Sequence, residues 1–283
     1  MVTLSNSKIT VKIAKRGAEI KSIDSFGKEY MWSADPKIWG KSAPIMFPIC
    51  GGLKEGRYEL FGKSYSMSKH GFARNSDFDV EKIEKDKVTL VLHDSEETRA
   101  IYPFKFNFRV SFALSDESLS VTYDVENLSD TPMYASFGAH EGYACPEGIE
   151  NYELIMPEKE TLYASGLNGE LVTDYYKLMC ENDNRIPLRE VDFFIDAVVF
   201  RNIKNKSVTL KNKEIGRGVR VDFPGFDNLV LWHKYNSPYL CIEPWCGLPD
   251  LSGSDFDFTK KDGMRKIEVG EHLCRTHVIT PLK

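Results

Sequence analysis

The sequence lacks any long uninterrupted apolar run. No stretch approaches the roughly 18–20 apolar residues that a membrane span requires, and the first thirty residues contain neither an apolar h-region nor a small-residue cleavage site. The six cysteines include no CxxC pair, which argues against a zinc ribbon or a disulfide scaffold and for reduced thiols. We therefore expect a soluble, cytoplasmic protein with no membrane partner.

An excess of positive charge is also missing. The 283 residues include 37 Lys and Arg against 42 Asp and Glu, which gives a net charge of −5. Proteins that follow a phosphate backbone usually carry the opposite balance, so we expect no nucleic-acid partner. The HExxH, Walker A, GxGxxG and GxSxG motifs are absent too. His140 and Glu141 are neighbours that would point to opposite faces of a strand, which makes a poor chelate, so we expect no metal site.

The pattern that is present has a period of two. Apolar residues occupy every second position from Phe104 to Leu114, and after a polar turn the alternation resumes from Leu119 to Val125. This predicts a long hairpin with one buried face. Similar runs recur at 9–13, 88–92, 219–223 and 273–279, whereas helical turns are expected only near 35–40 and 168–180. We predict an all-β fold, a large antiparallel β-sandwich, formed by a single domain over residues 1–283.

Four short stretches place polar, chemically capable side chains in unusual settings. They are KHGFAR at 69–74, FGAHEGYACP at 137–146, the apolar run at 193–200 that one carboxylate interrupts, and LCIEPWCGLPD at 240–250. The candidate residues that they contain are His70, Arg74, His140, Asp196, Glu243 and Trp245.

The fourth stretch suggests acid–base chemistry. Glu243 follows an apolar run that predicts a buried strand, and we expect Pro244 to end this strand. Desolvation at the end of the strand would raise the pKa of the Glu243 carboxyl group. A raised pKa suits a general base near neutral pH, and a histidine is the natural acid to act with it. Trp245 offers an apolar surface for the C–H face of a sugar ring.

Purely structural interpretations of the same residues remain open. Glu243 is able to serve as a buried hydrogen-bonding group, His70 as a turn cap, Asp196 as an acceptor for backbone N–H groups and Trp245 as a core residue. Glu243 is also able to form the carboxylate pair of a glycosidase with Asp196 or Asp250.

Taken in order, the four stretches resemble the aldose 1-epimerase (galactose mutarotase) family, and its LacX-like branch in particular. Members of that branch share a phrase like HGFAR and a closing phrase like IEPWxGxxD. The resemblance extends from GAEI at 17–20, through IMFPICGGL at 45–53, to Asp250.

The resemblance implies a β-supersandwich that exchanges the α and β anomers of an aldose without a cofactor. It implies that Glu243 is the base that takes the anomeric hydroxyl proton and that His140 is the acid that protonates the ring oxygen. His70, Asp196 and Arg74 would bind the substrate. Trp245 is added as a substrate-stacking residue on chemical grounds alone.

The chain departs from the family in one segment that bears on substrate choice. Family members usually carry an arginine where this chain has PICGGL at 48–53, and Arg57 or Arg74 are the candidates to replace it. We therefore expect the partner to be a neutral hexose rather than a sugar phosphate. A non-catalytic sugar-binding or sensing protein and a glycoside hydrolase are the alternative functions. Monomer and homodimer are both open.

Overall fold

Strands occupy most of the chain in the computed structural model, which describes residues 1–194 and 196–283, so that Ile195 of the third stretch lies outside the described residues. The strands are β1 (Val2–Ser5), β2 (Ile9–Ile13), β3 (Ile20–Ser25), β4 (Lys28–Glu29), β5 (Arg57–Leu60), β6 (Lys63–Ser66), β7 (Asp79–Ile83), β8 (Lys87–His93), β9 (Phe106–Ser115), β10 (Ser118–Asn127), β11 (Met133–Ala135), β12 (Glu141–Ala144), β13 (Tyr152–Asn168), β14 (Leu171–Ile186), β15 (Ala197–Phe200), β16 (Ser207–Asn212), β17 (Gly218–Asp222), β18 (Asn228–Trp232), β19 (Tyr239–Trp245), β20 (Arg265–Ile267) and β21 (His272–Leu282). The α-helix α1 is short, Glu96–Ile101, and single 3-10 turns lie at Lys54–Gly56, Ala73–Asn75, Ile149–Asn151, Glu190–Phe193 and Phe258–Lys260. Among the helices so described, none has the length and apolar character needed to cross a membrane.

A 13-stranded sheet organises the structure. Its order is β12-β19-β18-β15-β13-β16-β17-β21-β10-β9-β8-β7, with β14 paired to β13. Strands β1–β4 form a second sheet, and β11–β20 and β5–β6 are separate two-stranded pairs. The pairings between these named strands are antiparallel, so the predicted all-β antiparallel fold is confirmed.

The hairpin predicted from the alternating apolar residues is β9–β10. Leu114 lies opposite Leu119 and Val110 opposite Tyr123, and these side chains face the main hydrophobic core, which runs from Leu4 to Ile279. Each fully buried aliphatic or aromatic side chain there contributes roughly 1.5–3 kcal/mol. The burial of one face therefore accounts for both the strand pairing and its register.

The expected helical turn at 168–180 was wrong, because residues 171–186 form β14. The register between β13 and β14 shifts at several bulges, and these shifts interrupt the period-two pattern from which a strand is recognised. Near 35–40 the chain makes one hydrogen-bonded turn, in which the Trp39 N–H donates to the Asp35 carbonyl at 2.8 Å, and the turn does not continue into a helix. Helix α1 was missed, although Ser95 caps it and Thr98 completes a capping box.

Candidate active site

The six candidate side chains line one cavity of about 250 Å³. The cavity lies at the end of the large sheet, over β19 and β18 and beside the loops that carry the first and third stretches. Residues that are up to 175 positions apart in the sequence, from His70 to Trp245, are therefore brought together by strand pairing. The cavity also includes Trp39, Lys69 and Trp232.

Strand β19 carries the carboxylate at the floor of the cavity. It lies between β12 and β18 and is buried on both faces. Leu240 and Ile242 point into the main core, whereas Glu243 and Trp245 line the cavity on the opposite face, as the alternation of a strand requires. Glu243 is 1% exposed.

Pro244 lies within β19, so the prediction that it ends the strand was wrong. Proline is rare in central strands because it cannot donate a ladder hydrogen bond. Here the neighbouring strand β12 begins only at Glu141, and the Ala139 N–H donates to the Pro244 carbonyl at 3.0 Å. The Ala139 carbonyl accepts from the Trp245 indole N–H at 3.2 Å, which supplies the donor that Pro244 lacks.

His140 lies across from Glu243, one residue before β12. Its Nδ1 is 3.4 Å from Glu243 Oε1, and within residues 1–194 and 196–283 neither atom has an aligned hydrogen-bond partner. Glu243 Oε2 accepts from the Trp245 indole at 3.1 Å. The His140 ring stacks on Trp39 with ring centroids 5.2 Å apart, and these contacts fix the orientation of both groups.

Burial sets the protonation of this pair. It raises the pKa of Glu243 well above its usual range, against the opposing effect of the Trp245 hydrogen bond. It also lowers the pKa of His140 to about 3. At neutral pH the Glu243–His140 pair therefore shares one titratable proton, and both side chains are uncharged when that proton lies on Glu243.

His70 occupies a strained turn that presents its ring to the cavity. Its φ is +67°, a region that residues other than glycine rarely adopt, and it precedes Gly71, where a Cβ would lie 2.1 Å from the Phe47 carbonyl oxygen. The Gly51 N–H donates to His70 Nδ1 at 3.0 Å. In the neutral ring the proton is therefore on Nε2, and burial lowers the pKa of His70 enough to keep the ring neutral.

Asp196 is also held in a left-handed backbone conformation, with φ +79°. The Trp232 indole N–H donates to its Oδ1 at 2.6 Å, and Lys69 Nζ lies 3.8 Å from Oδ2. The side chain is 42% exposed, so it remains available to a ligand in the cavity.

Two cations line the cavity, although segment 48–53 contains none. Arg74 donates to the Lys69 carbonyl at 2.9 Å, and its Nε is buried without a partner among the described residues. Of the two arginines considered as replacements, only Arg74 borders the cavity, because Arg57 pairs with Glu55 instead.

The aromatic walls were not identified from the sequence. Trp39 and Trp232 are partly exposed and line the cavity, whereas Trp245 is only 2% exposed and its indole N–H is used by Glu243 and Ala139. Isolated tryptophans outside the four stretches gave no signal in the sequence, since their position depends on the fold.

Asp250 is not part of the cavity, and the Glu243–Asp250 carboxylate pair considered above was wrong. Asp250 Oδ1 accepts from Lys261 Nζ at 2.6 Å, and its other oxygen accepts from the Lys54 N–H at 2.9 Å. Both side chains of this ion pair are buried, so the role of Asp250 is to hold the loop after β19.

Comparison with known proteins supports the resemblance. The family described as Aldose 1-epimerase matches residues 1–251. The chain is 34% identical over 262 residues to the chromosomal LacX protein of Lactococcus lactis subsp. lactis, covering 87% of this chain and 88% of that protein.

Two solved structures are similar along the whole chain. A galactose mutarotase related enzyme from Lactobacillus acidophilus has a TM-score of 0.93 and 35% identity, with 100% of this chain and 97% of that chain covered. A galactose mutarotase-like protein from Lactobacillus casei ATCC 334 has a TM-score of 0.93 and 30% identity, and both chains are fully covered. These matches confirm the galactose mutarotase-like fold. With a match over most of its length and relatives above 30% identity, the chain belongs to the aldose 1-epimerase family.

Proposed function

We propose that this protein is a cofactor-free mutarotase that interconverts the α and β anomers of a neutral hexose, with Glu243 as the base and His140 as the acid. The observation that supports this most is the isolated Glu243–His140 pair, 3.4 Å apart and facing the cavity. The two oxygens that must exchange protons, O1 and O5, are bonded to the same sugar carbon. A pair of adjacent proton-transfer groups suits such a centre.

In the proposed reaction Glu243 accepts the O1 proton while the C1–O1 bond becomes a carbonyl. The C1–O5 bond breaks, and O5 takes a proton from His140, so the ring opens to the aldehyde. Rotation about C1–C2 presents the other carbonyl face, and the same transfers in reverse close the ring as the opposite anomer. The pair starts and ends with one proton, and each positioned transfer contributes about 10²–10⁴-fold to the rate.

The free state and the reacting state of the pair differ only in the position of that proton. Burial favours the tautomer in which the proton lies on Glu243. The reaction requires an ionised Glu243 and a protonated His140, a tautomer of the same net charge. Polar hydroxyl groups of a bound sugar stabilise this charge-separated tautomer, so substrate binding activates the pair.

The other cavity residues supply contacts to the sugar hydroxyl groups and to the C–H faces. His70 offers its Nε2–H as a donor to the ligand, because its Nδ1 already accepts a hydrogen bond from the Gly51 N–H. Asp196 offers a carboxylate acceptor, and Trp39 and Trp232 offer apolar walls. At about 250 Å³ the cavity is smaller than the roughly 300–1,000 Å³ of sites for drug-sized ligands, which suits one monosaccharide.

The preference for a neutral sugar rests on the partners of the two cations. Lys69 Nζ lies 3.8 Å from Asp196 Oδ2, and one nitrogen of the Arg74 guanidinium donates a hydrogen bond to the Lys69 backbone carbonyl. A phosphate group with nearly two negative charges usually requires a free arginine fork or several lysines. Because Lys69 already faces a carboxylate and one nitrogen of Arg74 is already bonded, neutral hexoses should be exchanged at least as well as their 6-phosphates.

The test is to follow α-glucose, α-galactose and their 6-phosphates by polarimetry as they relax to anomeric equilibrium. A mutarotase accelerates relaxation in proportion to protein concentration, whereas a sugar-binding protein leaves the rate unchanged. A glycoside hydrolase would instead release reducing ends from a disaccharide. A kcat/KM at least tenfold higher for a 6-phosphate than for its neutral sugar would contradict the substrate assignment.

A further inference from the structure

Three donor atoms of different chemistry meet at the floor of the cavity. They are a ring nitrogen of His140, Cys241 Sγ and a carboxylate oxygen of Glu243, and they lie within 4.8 Å of one another. Cys241 precedes Glu243 by two residues on β19 and therefore points to the same face. His140 faces Glu243 from the residue that precedes the adjoining strand β12. Strand pairing alone creates this group, so no spacing in the sequence reveals it.

Two of the three donors lack an aligned partner. His140 Nδ1 and Glu243 Oε1 are both buried and make no hydrogen bond within the part of the chain that the structure describes. Buried polar atoms are normally satisfied, and those that are not call for a ligand. The 3.4 Å between these two atoms is close to the edge of a tetrahedron with Zn–N and Zn–O bonds of about 2.0–2.2 Å.

The donor set selects the kind of ion. Imidazole and thiolate ligands favour Zn²⁺ and related thiophilic cations, whereas Mg²⁺ and Ca²⁺ require sites made of oxygen ligands. Cys241 contributes the third donor from the buried hydrophobic cluster that it forms with Trp32 and Tyr239. Binding requires the sulfur to come within a Zn–S distance of about 2.3 Å of the ion, and a fourth ligand would enter from the cavity that His140 and Glu243 line.

We propose that His140, Cys241 and Glu243 bind a thiophilic divalent cation of the Zn²⁺ class, and that the bound ion switches anomer exchange off. Coordination requires a neutral imidazole, an ionised carboxylate and a thiolate. Each ion therefore displaces two protons to solvent, one from the His140–Glu243 pair and one from the Cys241 thiol. The inhibition rests on the proposed function, because the ion occupies the lone pairs that proton transfer uses. The binding of the ion does not depend on that function.

Binding is tested with Co²⁺, whose spectrum reports its ligands. The full chain, freed of metal with a chelator, is titrated with Co²⁺ without oxygen. We expect a near-ultraviolet thiolate-to-cobalt charge-transfer band together with visible bands of a four-coordinate ion, both removed by added Zn²⁺. The charge-transfer band should be lost in Cys241→Ser. It should persist in Cys246→Ser, a matched control whose buried thiol packs in the main core.

Absence of the band from the wild-type protein, or an unchanged band in Cys241→Ser, would overturn the site. Inhibition is then measured by NMR of anomer exchange with increasing Zn²⁺, each variant being compared with its own metal-free rate. We expect Zn²⁺ to abolish exchange in the wild type and Cys246→Ser, and to need at least tenfold higher concentration in Cys241→Ser. Equal Zn²⁺ sensitivity of all three proteins would overturn the switch.

The experiment separates this inference from the proposed function. Anomer exchange without a cobalt band leaves the mutarotase intact and removes the metal site. A Cys241-dependent band in a protein that exchanges no anomer keeps the metal site and removes the mutarotase. Because Zn²⁺ inhibits in this account, treatment with a chelator leaves the exchange rate unchanged or raises it, and a chelator-induced loss that Zn²⁺ restores would contradict the account.

Discussion

Replacing Glu243 by glutamine removes the proton acceptor while preserving the shape of the site. The carboxylate touches Trp245 Nε1 through Oε2 and approaches His140 Nδ1 through Oε1. In Glu243→Gln the amide carbonyl is able to accept from the indole, and the amide NH₂ is able to donate to His140 Nδ1. The variant therefore keeps its contacts and loses only the ability to transfer a proton.

The expected effect is large on the rate and small on the fold. Loss of one positioned proton transfer lowers kcat by about 10²–10⁴-fold, which corresponds to roughly 3–5 kcal/mol in the barrier. Because the hydrogen bond from Trp245 and the contact with His140 both have replacements, the free energy of unfolding should change by no more than about 1 kcal/mol, and sugar binding should remain.

Polarimetry of α-galactose gives the rate, and calorimetric titration with the equilibrated sugar gives the affinity. Glu141→Gln is a suitable control, because Glu141 is an equally buried carboxylate that lies on β12 and contacts His277 rather than the cavity. We expect it to keep exchange within tenfold of the wild type. Exchange by Glu243→Gln within threefold of the wild-type rate would remove Glu243 from the mechanism.

Three further outcomes follow from the same structure. Asp196→Asn should raise KM about tenfold in steady-state assays, because the sugar loses a charged hydrogen bond of about 1.5 kcal/mol, while kcat stays within about threefold. Asparagine tolerates the left-handed backbone at this position. A collapse of kcat at constant KM would contradict a substrate-binding role for Asp196. The Glu243–His140 pair acts while it shares one titratable proton. We therefore expect kcat/KM to fall below a pH of about 3, where the pair gains a second titratable proton on His140, and to fall again as pH rises through the raised pKa of Glu243. A rate that keeps climbing into alkaline pH would refute this assignment. Lys261→Met leaves Asp250 buried and unpaired, so guanidinium denaturation should show a loss of about 3–5 kcal/mol, and a loss below 1 kcal/mol would refute the estimate.

The strands were predictable where one face alone is buried. In β9 and β10 the alternation from Phe106 to Val125 is regular, and the structure follows it. The pattern fails in β14, where bulges shift the register, and in β19, where both faces are buried and Pro244 suggests an end that does not occur. A single domain over residues 1–283 stays a prediction, which the extent of the main core supports.

The site was predictable as a set of residue types but not as a geometry. His70, His140, Asp196 and Glu243 carried a signal because polar groups interrupt apolar or glycine-rich segments. Distances, protonation and neighbours depend on strand order, which brings β12, β18 and β19 together. For this reason the aromatic walls and the approach of Cys241 to the proton-transfer pair emerged only from the folded chain.

Exchange NMR at anomeric equilibrium is the decisive measurement of mutarotase activity, because it observes interconversion of the anomers without a net reaction. With α- and β-galactose at equilibrium, cross-peaks between the two anomeric protons report the exchange rate, and ligand line broadening reports binding in the same sample. We predict a cross-peak rate that rises linearly with the concentration of wild-type protein and falls at least a hundredfold in Glu243→Gln, while line broadening persists in both. Line broadening with an exchange rate equal to that of buffer would contradict it and would show a protein that binds the sugar without turning it over.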